Sequence, residues 1–173
     1  MDARLHHLQG KTELVRPADL LQLLREFYRE KSALRARHVA GARLVGDYNF
    51  NNTYQYVINR EDVHLAWLRD AIVDLGGTPE EGPEPQITAS GKNAADTIFR
   101  DDSREMQAFV DRWRDRIEKI TNARNKTMLR LMLGELLEQK RFFDQAAAGR
   151  EDLLGRRADG MGTPGKVIAG RWK

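Results

Sequence analysis

The sequence contains no cysteine, so disulfide bonds, zinc–thiolate sites, iron–sulfur clusters and thiol nucleophiles are all excluded. It has no apolar run long enough to cross a membrane, and its first residues, Met1 to His7, lack the apolar core of a signal peptide. No glycine-rich phosphate loop and no Gly-x-Ser-x-Gly motif is present, so nothing supports a kinase or a serine hydrolase. These absences predict a cytoplasmic protein that has no membrane partner.

A strong excess of charge of one sign is also lacking. The 29 basic and 26 acidic residues leave a formal net charge of +3. The two signs are interspersed along the chain, which is typical of solvated helix faces, and no block of lysine and arginine stands out. This distribution argues against a nucleic-acid partner. At 173 residues the chain has the size of one domain.

Only five prolines are present, and three of them, Pro79, Pro83 and Pro85, fall in a segment from about 77 to 92 that has no helical period. Extended chain covers about 3.3 Å per residue, so this segment can run the whole length of a helix bundle. On either side of it, apolar residues recur at helical spacing and predict four helices. Their predicted ranges are 17–45, from the turn at 46–49 to 75, 95–121, and 126–148. The pattern predicts an all-α four-helix bundle with a long crossover between the second and third helices.

Carboxylates recur in a regular pattern along these helices. A single Glu30 precedes Glu61-x-x-His64, and a single Glu105 precedes Glu135-x-x-Glu138 at nearly the same interval. Glu61 and His64 lie on one helical face that is otherwise apolar, and a carboxylate in such a place must be paired, neutral or bound to a cation. Counting about 1.5 Å per residue up one helix and down the next places Glu30 and Glu61 at similar heights.

The two halves also share a local pattern, Glu30-x-x-Ala33-x-x-x-Arg37 and Glu105-x-x-Ala108-x-x-x-Arg112. Such a repeat is typical of a bundle built from two similar helical hairpins. With the carboxylate pattern, the chain resembles the ferritin and rubrerythrin superfamily, and most nearly its small ferritin-like domain proteins. The resemblance covers residues 17–148, so that 1–16 form an N-terminal extension and 149–173 a C-terminal tail.

The resemblance implies a carboxylate-bridged pair of metal ions inside the bundle. Glu30 and Glu105 would be terminal ligands, Glu61 and Glu135 would bridge, His64 would bind one ion, and Glu138 would complete the set. Oxygen ligands with an imidazole suit iron or manganese. The implied activity is oxidation of iron or reduction of O₂ or peroxide.

One departure from the family pattern, together with the charged residues beside it, supports an alternative. Glu138 stands where the pattern has histidine, and Lys140 or Arg141 would neutralise the glutamates of the fourth helix in salt bridges. Ion pairs three and four residues apart are also routine on charged helices. The alternative is a degenerate, non-catalytic ferritin-like bundle that acts as an interaction or structural module. Three roles remain open for His38: a metal ligand, a residue that contacts a metal ligand, or a histidine that takes no part in the site.

Two partner predictions follow from apolar surface. The fourth helix is apolar nearly all round in its first half, which predicts a homodimer. Val167, Ile168 and Trp172 form a short apolar patch in the tail that would dock on a partner or shell protein, the alternative being a weakly ordered terminus.

Overall fold

The computed structural model describes residues 17–87, 89, 91 and 93–154. The predicted N-terminal extension and the tail patch at Val167, Ile168 and Trp172 lie outside these residues. Four helices form the described part: α1 (Pro17–Leu44), α2 (Tyr48–Asp74), α3 (Ala94–Glu118) and α4 (Ala123–Ala147). Within that part of the chain, no helix is both long and apolar enough to span a membrane.

The helices form two hairpins that pack side by side. The main packing is α1 against α2 and α3 against α4, while α1 also contacts α3 and α2 also contacts α4. The segment after α2 travels back along the bundle before α3 begins. The predicted all-α four-helix bundle with a long crossover between the second and third helices is therefore confirmed.

Side-chain caps explain where two of the helices, α2 and α4, begin. The Asp47 side chain accepts hydrogen bonds from the backbone amides of Asn49 and Phe50 at 2.8 and 3.1 Å, so α2 starts at Tyr48. Asn122 accepts from the Asn125 amide at 3.0 Å in the same way. The fourth helix consequently starts three residues earlier than its predicted first residue, Lys126.

The core is a set of apolar stripes that repeat every three or four residues, and polar residues interrupt all four of these stripes, the α2 stripe at Glu61 and His64. Lys31 and His38 lie in the α1 stripe, Asp102 lies in the α3 stripe, and Gln139 lies in the α4 stripe. Each of these four side chains is almost completely buried. Buried polar groups are costly unless they have partners, so these positions show where the interior chemistry lies. The apolar members of the α1 stripe are Leu20, Leu24, Phe27, Leu34 and Ala42.

The crossover is fixed onto α1. The Gly82 amide donates to the Ser32 hydroxyl at 2.7 Å, and the Tyr28 hydroxyl donates to Glu81 at 2.7 Å. A β-carbon on Gly82 would lie only 2.2 Å from the carbonyl oxygen of Arg29, so only glycine lets the two backbones come this close. The segment is therefore a fixed wall of the bundle.

Candidate functional site

Glu61 lies at the centre of the bundle and already has two partners. Its Oε1 accepts from the Lys31 ammonium, and its Oε2 lies 2.8 Å from His38 Nδ1. All three side chains are completely buried. The prediction that Glu30 and Glu61 share a height is close, but the residue that faces Glu61 from α1 is the next one, Lys31.

The charges around Glu61 keep it ionised. Burial by itself would raise its pKa, but the charges of His38 and Lys31 and their hydrogen bonds outweigh burial and hold the pKa at about 2. Burial lowers the pKa of Lys31, and the opposing charge of Glu61 offsets part of that effect. Glu61 and Lys31 thus form a buried ion pair, in which the lysine provides the positive charge that an anion in an apolar core needs.

A second cluster joins α2 to α4. His64 Nε2 lies 2.9 Å from Glu135 Oε2, and both carboxylate oxygens of Glu135 accept from the Arg60 guanidinium. Burial, followed by the charge of Lys31, lowers the pKa of His64 to about 4. The hydrogen bond from Arg60 lowers the pKa of Glu135. At neutral pH His64 is therefore uncharged, and Glu135 is neutralised by an arginine.

A third cluster ties α1 to α3. Asp102 accepts from Arg37 Nε at 2.6 Å and from the Tyr54 hydroxyl. Burial, followed by the charge of Asp102, raises the pKa of Tyr54. Gly41 leaves the space for this contact, because a β-carbon there would lie 3.1 Å from the Tyr54 oxygen and 3.2 Å from an Asp102 oxygen.

The other predicted ligands lie away from this interior. Glu30 turns towards α3, where its Oε2 accepts from Arg112 Nε at 3.1 Å and from Trp113 Nε1 at 3.0 Å. Glu138 is 72% exposed and pairs with Arg141, which is the surface ion pair that the sequence left open. Glu105 lines an open cleft between α1 and α3. Of the six predicted ligands, the structure buries Glu61 and His64 completely and Glu135 partly, and the hydrogen bond between His64 and Glu135 is the one that joins two of them.

The residues present do not fit a carboxylate-bridged pair of metal ions. No group of three or more histidine, aspartate or glutamate side chains within the described residues is arranged to hold a metal ion. His38 Nε2, His64 Nδ1 and Gln139 Oε1 are buried without a hydrogen-bond partner among these residues. The adjacent carboxylates of Glu61 and Glu135 are already matched by Lys31 and Arg60, and a further cation would meet a buried ammonium.

The spacing of the glutamates indicated Glu61 and Glu135, but it indicated neither their cationic partners nor the buried Asp102. Lys31 stands four residues after Phe27 and three before Leu34, in the middle of an apolar stripe. Asp102 stands between Phe99 and Met106 in the same manner. A charged residue at such a position was the available signal, because charged side chains are almost never buried unless they are paired.

Acid should destabilise the fold in two stages. His64 has a folded pKa of about 4 against its ordinary 6.5, so the unfolded chain binds the proton more readily and stability falls as the pH drops from about 6.5 towards 4. Glu61 has a folded pKa of about 2 against 4.5, so its contribution is lost below about 4.5. Urea unfolding at pH 7, 5.5 and 4.5 measures the first stage. In His64→Asn the free energy of unfolding should depend less on pH over this range. An unchanged pH dependence in that variant would show that His64 is not the group responsible.

Gln139 presents a different case, because its buried Oε1 has no partner among the described residues. We expect Gln139→Met to change the free energy of unfolding by less than about 1 kcal/mol or to increase it, since the variant removes an unpaired acceptor at similar volume. Met132→Gln, which adds an amide at a buried position of the same helix, is the matched control and should cost about 1–3 kcal/mol. Equal losses in the two variants, measured by urea unfolding, would show that Gln139 has a partner that the fold needs.

A cleft of about 700 Å³ lies outside the interior clusters, bounded by α1, α3 and the crossover. Leu34 and Phe109 form its floor, and Pro83 and Pro85 line its crossover side. Its rim carries charges of both signs, contributed by Glu26, Arg29, Glu30, Arg37, Glu84, Glu105 and Arg112. This volume lies within the usual range for a small-molecule site.

Comparison with known proteins supports the fold and does not extend to the site. A Dps1 mutant protein of Mycobacterium smegmatis has a similar structure, with a TM-score of 0.57 and 13% sequence identity over 81% of this chain and 99% of that chain. At that identity, the likeness establishes a ferritin-like four-helix bundle and nothing about chemistry. No protein-family model and no curated protein sequence matches the chain.

Proposed function

We propose that this protein is a metal-independent ferritin-like bundle that acts as a binding module. The observation that carries the proposal is the state of Glu61, whose two oxygens face Lys31 and His38 in a completely buried setting. The ammonium supplies the charge that a metal ion would otherwise bring. Lys31, Arg37 and Arg60 pair with Glu61, Asp102 and Glu135, so each of these carboxylates already has a cationic partner and attracts a divalent cation less strongly.

The competing function is the di-metal oxidase that the sequence resemblance implies, using iron or manganese. The ferritin-like fold and the interior position of Glu61, His64 and Glu135 favour it. It requires Lys31 and Arg60 to leave their carboxylates, and Lys31 is completely buried. Removing a partner from a buried ion pair is costly, so we favour the metal-independent function.

An iron-oxidation assay separates the two functions. Purified protein receives iron(II) in air, and the absorbance of iron(III) is followed beside the Glu61→Ala/His64→Ala double variant. We expect the two proteins to give the same rate as buffer, because neither offers an oxidation site. A rate well above buffer in the wild type that is lost in the variant would establish the oxidase and overturn the proposal.

Partner predictions stand apart from this assay. The homodimer stays a prediction, and the bundle now explains most of the apolar surface that suggested it. Leu129, Met132, Leu133 and Leu136 are buried within the chain itself, whereas Leu131 is 48% exposed. Sedimentation equilibrium of wild type and Leu131→Glu would test a dimer through α4, which the variant should dissociate.

A further inference from the structure

The cleft between α1, α3 and the crossover contains the one sequence motif that the interior does not explain. The repeated pattern places Glu30 and Arg37 on α1 opposite Glu105 and Arg112 on α3, and all four line the cleft. The two ends of the cleft thus hold equivalent glutamate and arginine pairs. They differ in one respect, which is whether the pair has formed.

At one end the pair is closed, because Arg112 donates to Glu30 at 3.1 Å. At the other end, Arg37 turns away to Asp102, and no ion pair of Glu105 is found among the described residues. Arg29, which lines the cleft near the closed end, likewise has no ion pair there. The cleft therefore presents a carboxylate at one end and a guanidinium at the other that are free to meet a ligand.

The distance between these two groups follows from the helix register. The contacts of Glu30 with Arg112 and of Glu26 with Arg116 show that α1 and α3 run antiparallel, which puts Arg29 level with Trp113. Glu105 is eight positions before Trp113, or about 12 Å along the axis at 1.5 Å per residue. Leu34 and Phe109 lie between the two ends and make the middle of the cleft apolar.

We propose that the cleft binds a linear organic zwitterion, with its ammonium group at Glu105, its carboxylate at Arg29 and an apolar chain between them over Leu34 and Phe109. This inference names the ligand class of the binding module proposed above. The crossover wall is held in place by the Gly82 to Ser32 hydrogen bond, so the cleft is formed before the ligand arrives.

Three probes of one chain length test this proposal: 8-aminooctanoate, octanoate and octylamine. They differ only in the charges at their ends, so the comparison isolates the contribution of each end. We expect 8-aminooctanoate to bind tightest by NMR titration of ¹⁵N-labelled protein, with the amide shifts confined to residues around the cleft. A probe that lacks one of the two charged ends should bind about tenfold more weakly than 8-aminooctanoate, which corresponds to about 1.4 kcal/mol.

Two variants assign the ends. Glu105→Gln should remove the advantage of 8-aminooctanoate over octanoate, and Arg29→Gln should remove its advantage over octylamine. Glu138→Gln, an exposed glutamate on α4 outside the cleft, is the matched control and should bind all three probes as the wild type does. Far-UV circular dichroism and thermal melting verify that each variant is folded.

Several results would overturn the proposal. These are no binding of any probe at millimolar concentration, shifts that map outside the cleft, or equal affinity for the three probes. A Glu105→Gln protein that binds the three probes as Glu138→Gln does would also overturn the proposal. The iron-oxidation assay tests metal independence separately, so the ligand class and the metal-independent fold fail by different measurements.

Discussion

Lys31→Met should lower the free energy of unfolding by about 3–5 kcal/mol, measured by urea denaturation at pH 7. The change leaves the buried carboxylate of Glu61 without the ammonium that neutralises it, and His38 alone remains beside it. Methionine has nearly the volume of lysine, so the loss reports charge more than packing. Few single substitutions destabilise a protein this much, and those that do have a specific cause.

Two further variants separate charge from shape. Arg35→Met, which breaks the partly exposed pair with Asp62 one turn along α1, should cost no more than about 1 kcal/mol. Lys31→Met/Glu61→Gln should recover much of the stability, because the amide is uncharged and still accepts a hydrogen bond from His38. The contrary result is a double variant whose loss in free energy of unfolding equals the sum of the losses in Lys31→Met and Glu61→Gln. The two residues would then act independently, and the buried pair would not be what stabilises this site.

Gly82→Ala should lower the free energy of unfolding by about 1–3 kcal/mol. The added methyl group would meet the Arg29 carbonyl oxygen at 2.2 Å and the Ala33 β-carbon at 2.7 Å, so the crossover must move off α1. That movement breaks the hydrogen bond to Ser32 and displaces the Pro83 side of the cleft. The measurement is urea unfolding together with amide hydrogen exchange of the crossover, which should speed up in the variant.

Gly134→Ala is the control for Gly82→Ala. Gly134 lies inside α4, and a β-carbon there meets nothing within 4 Å. The control should therefore gain up to about 1 kcal/mol from helix propensity. A Gly82→Ala protein as stable as the wild type, with unchanged exchange in the crossover, would show that the segment is not held against α1.

The fold was accessible from the sequence because its signals are local and repeated. Helical spacing on each side of a segment with three prolines led to four helices and a crossover, and the comparison with a solved ferritin-like structure agrees. The predicted start of α4 is three residues too late because the sequence leaves 122–125 between two helices as a turn, whereas the Asn122 side chain caps α4. Cap residues and turn residues are the same residue types, so composition alone does not separate them.

The residues of the interior could be predicted from the sequence only in part. The spacing indicated Glu61 and His64, but it could not say what neutralises Glu61, since Lys31 and Glu61 are thirty positions apart and meet only in the packed bundle. The site depends on which of two adjacent residues of α1 faces Glu61. Glu30 and Lys31 are neighbours, but successive residues point about 100° apart around a helix, so Lys31 faces Glu61 and Glu30 faces Trp113. The cleft could not be seen from the sequence, because the crossover supplies one of its sides.

Equilibrium dialysis measures whether Glu61 and His64 hold a metal ion when one is supplied. Protein stripped of metal is dialysed without oxygen against manganese(II) and against iron(II) at pH 7, and the bound metal is measured by mass spectrometry beside Glu61→Ala/His64→Ala. We expect the wild type and the variant to retain the same trace amount, because Lys31 already neutralises Glu61. About two ions per chain in the wild type, lost in the variant, would contradict the proposed metal-independent function.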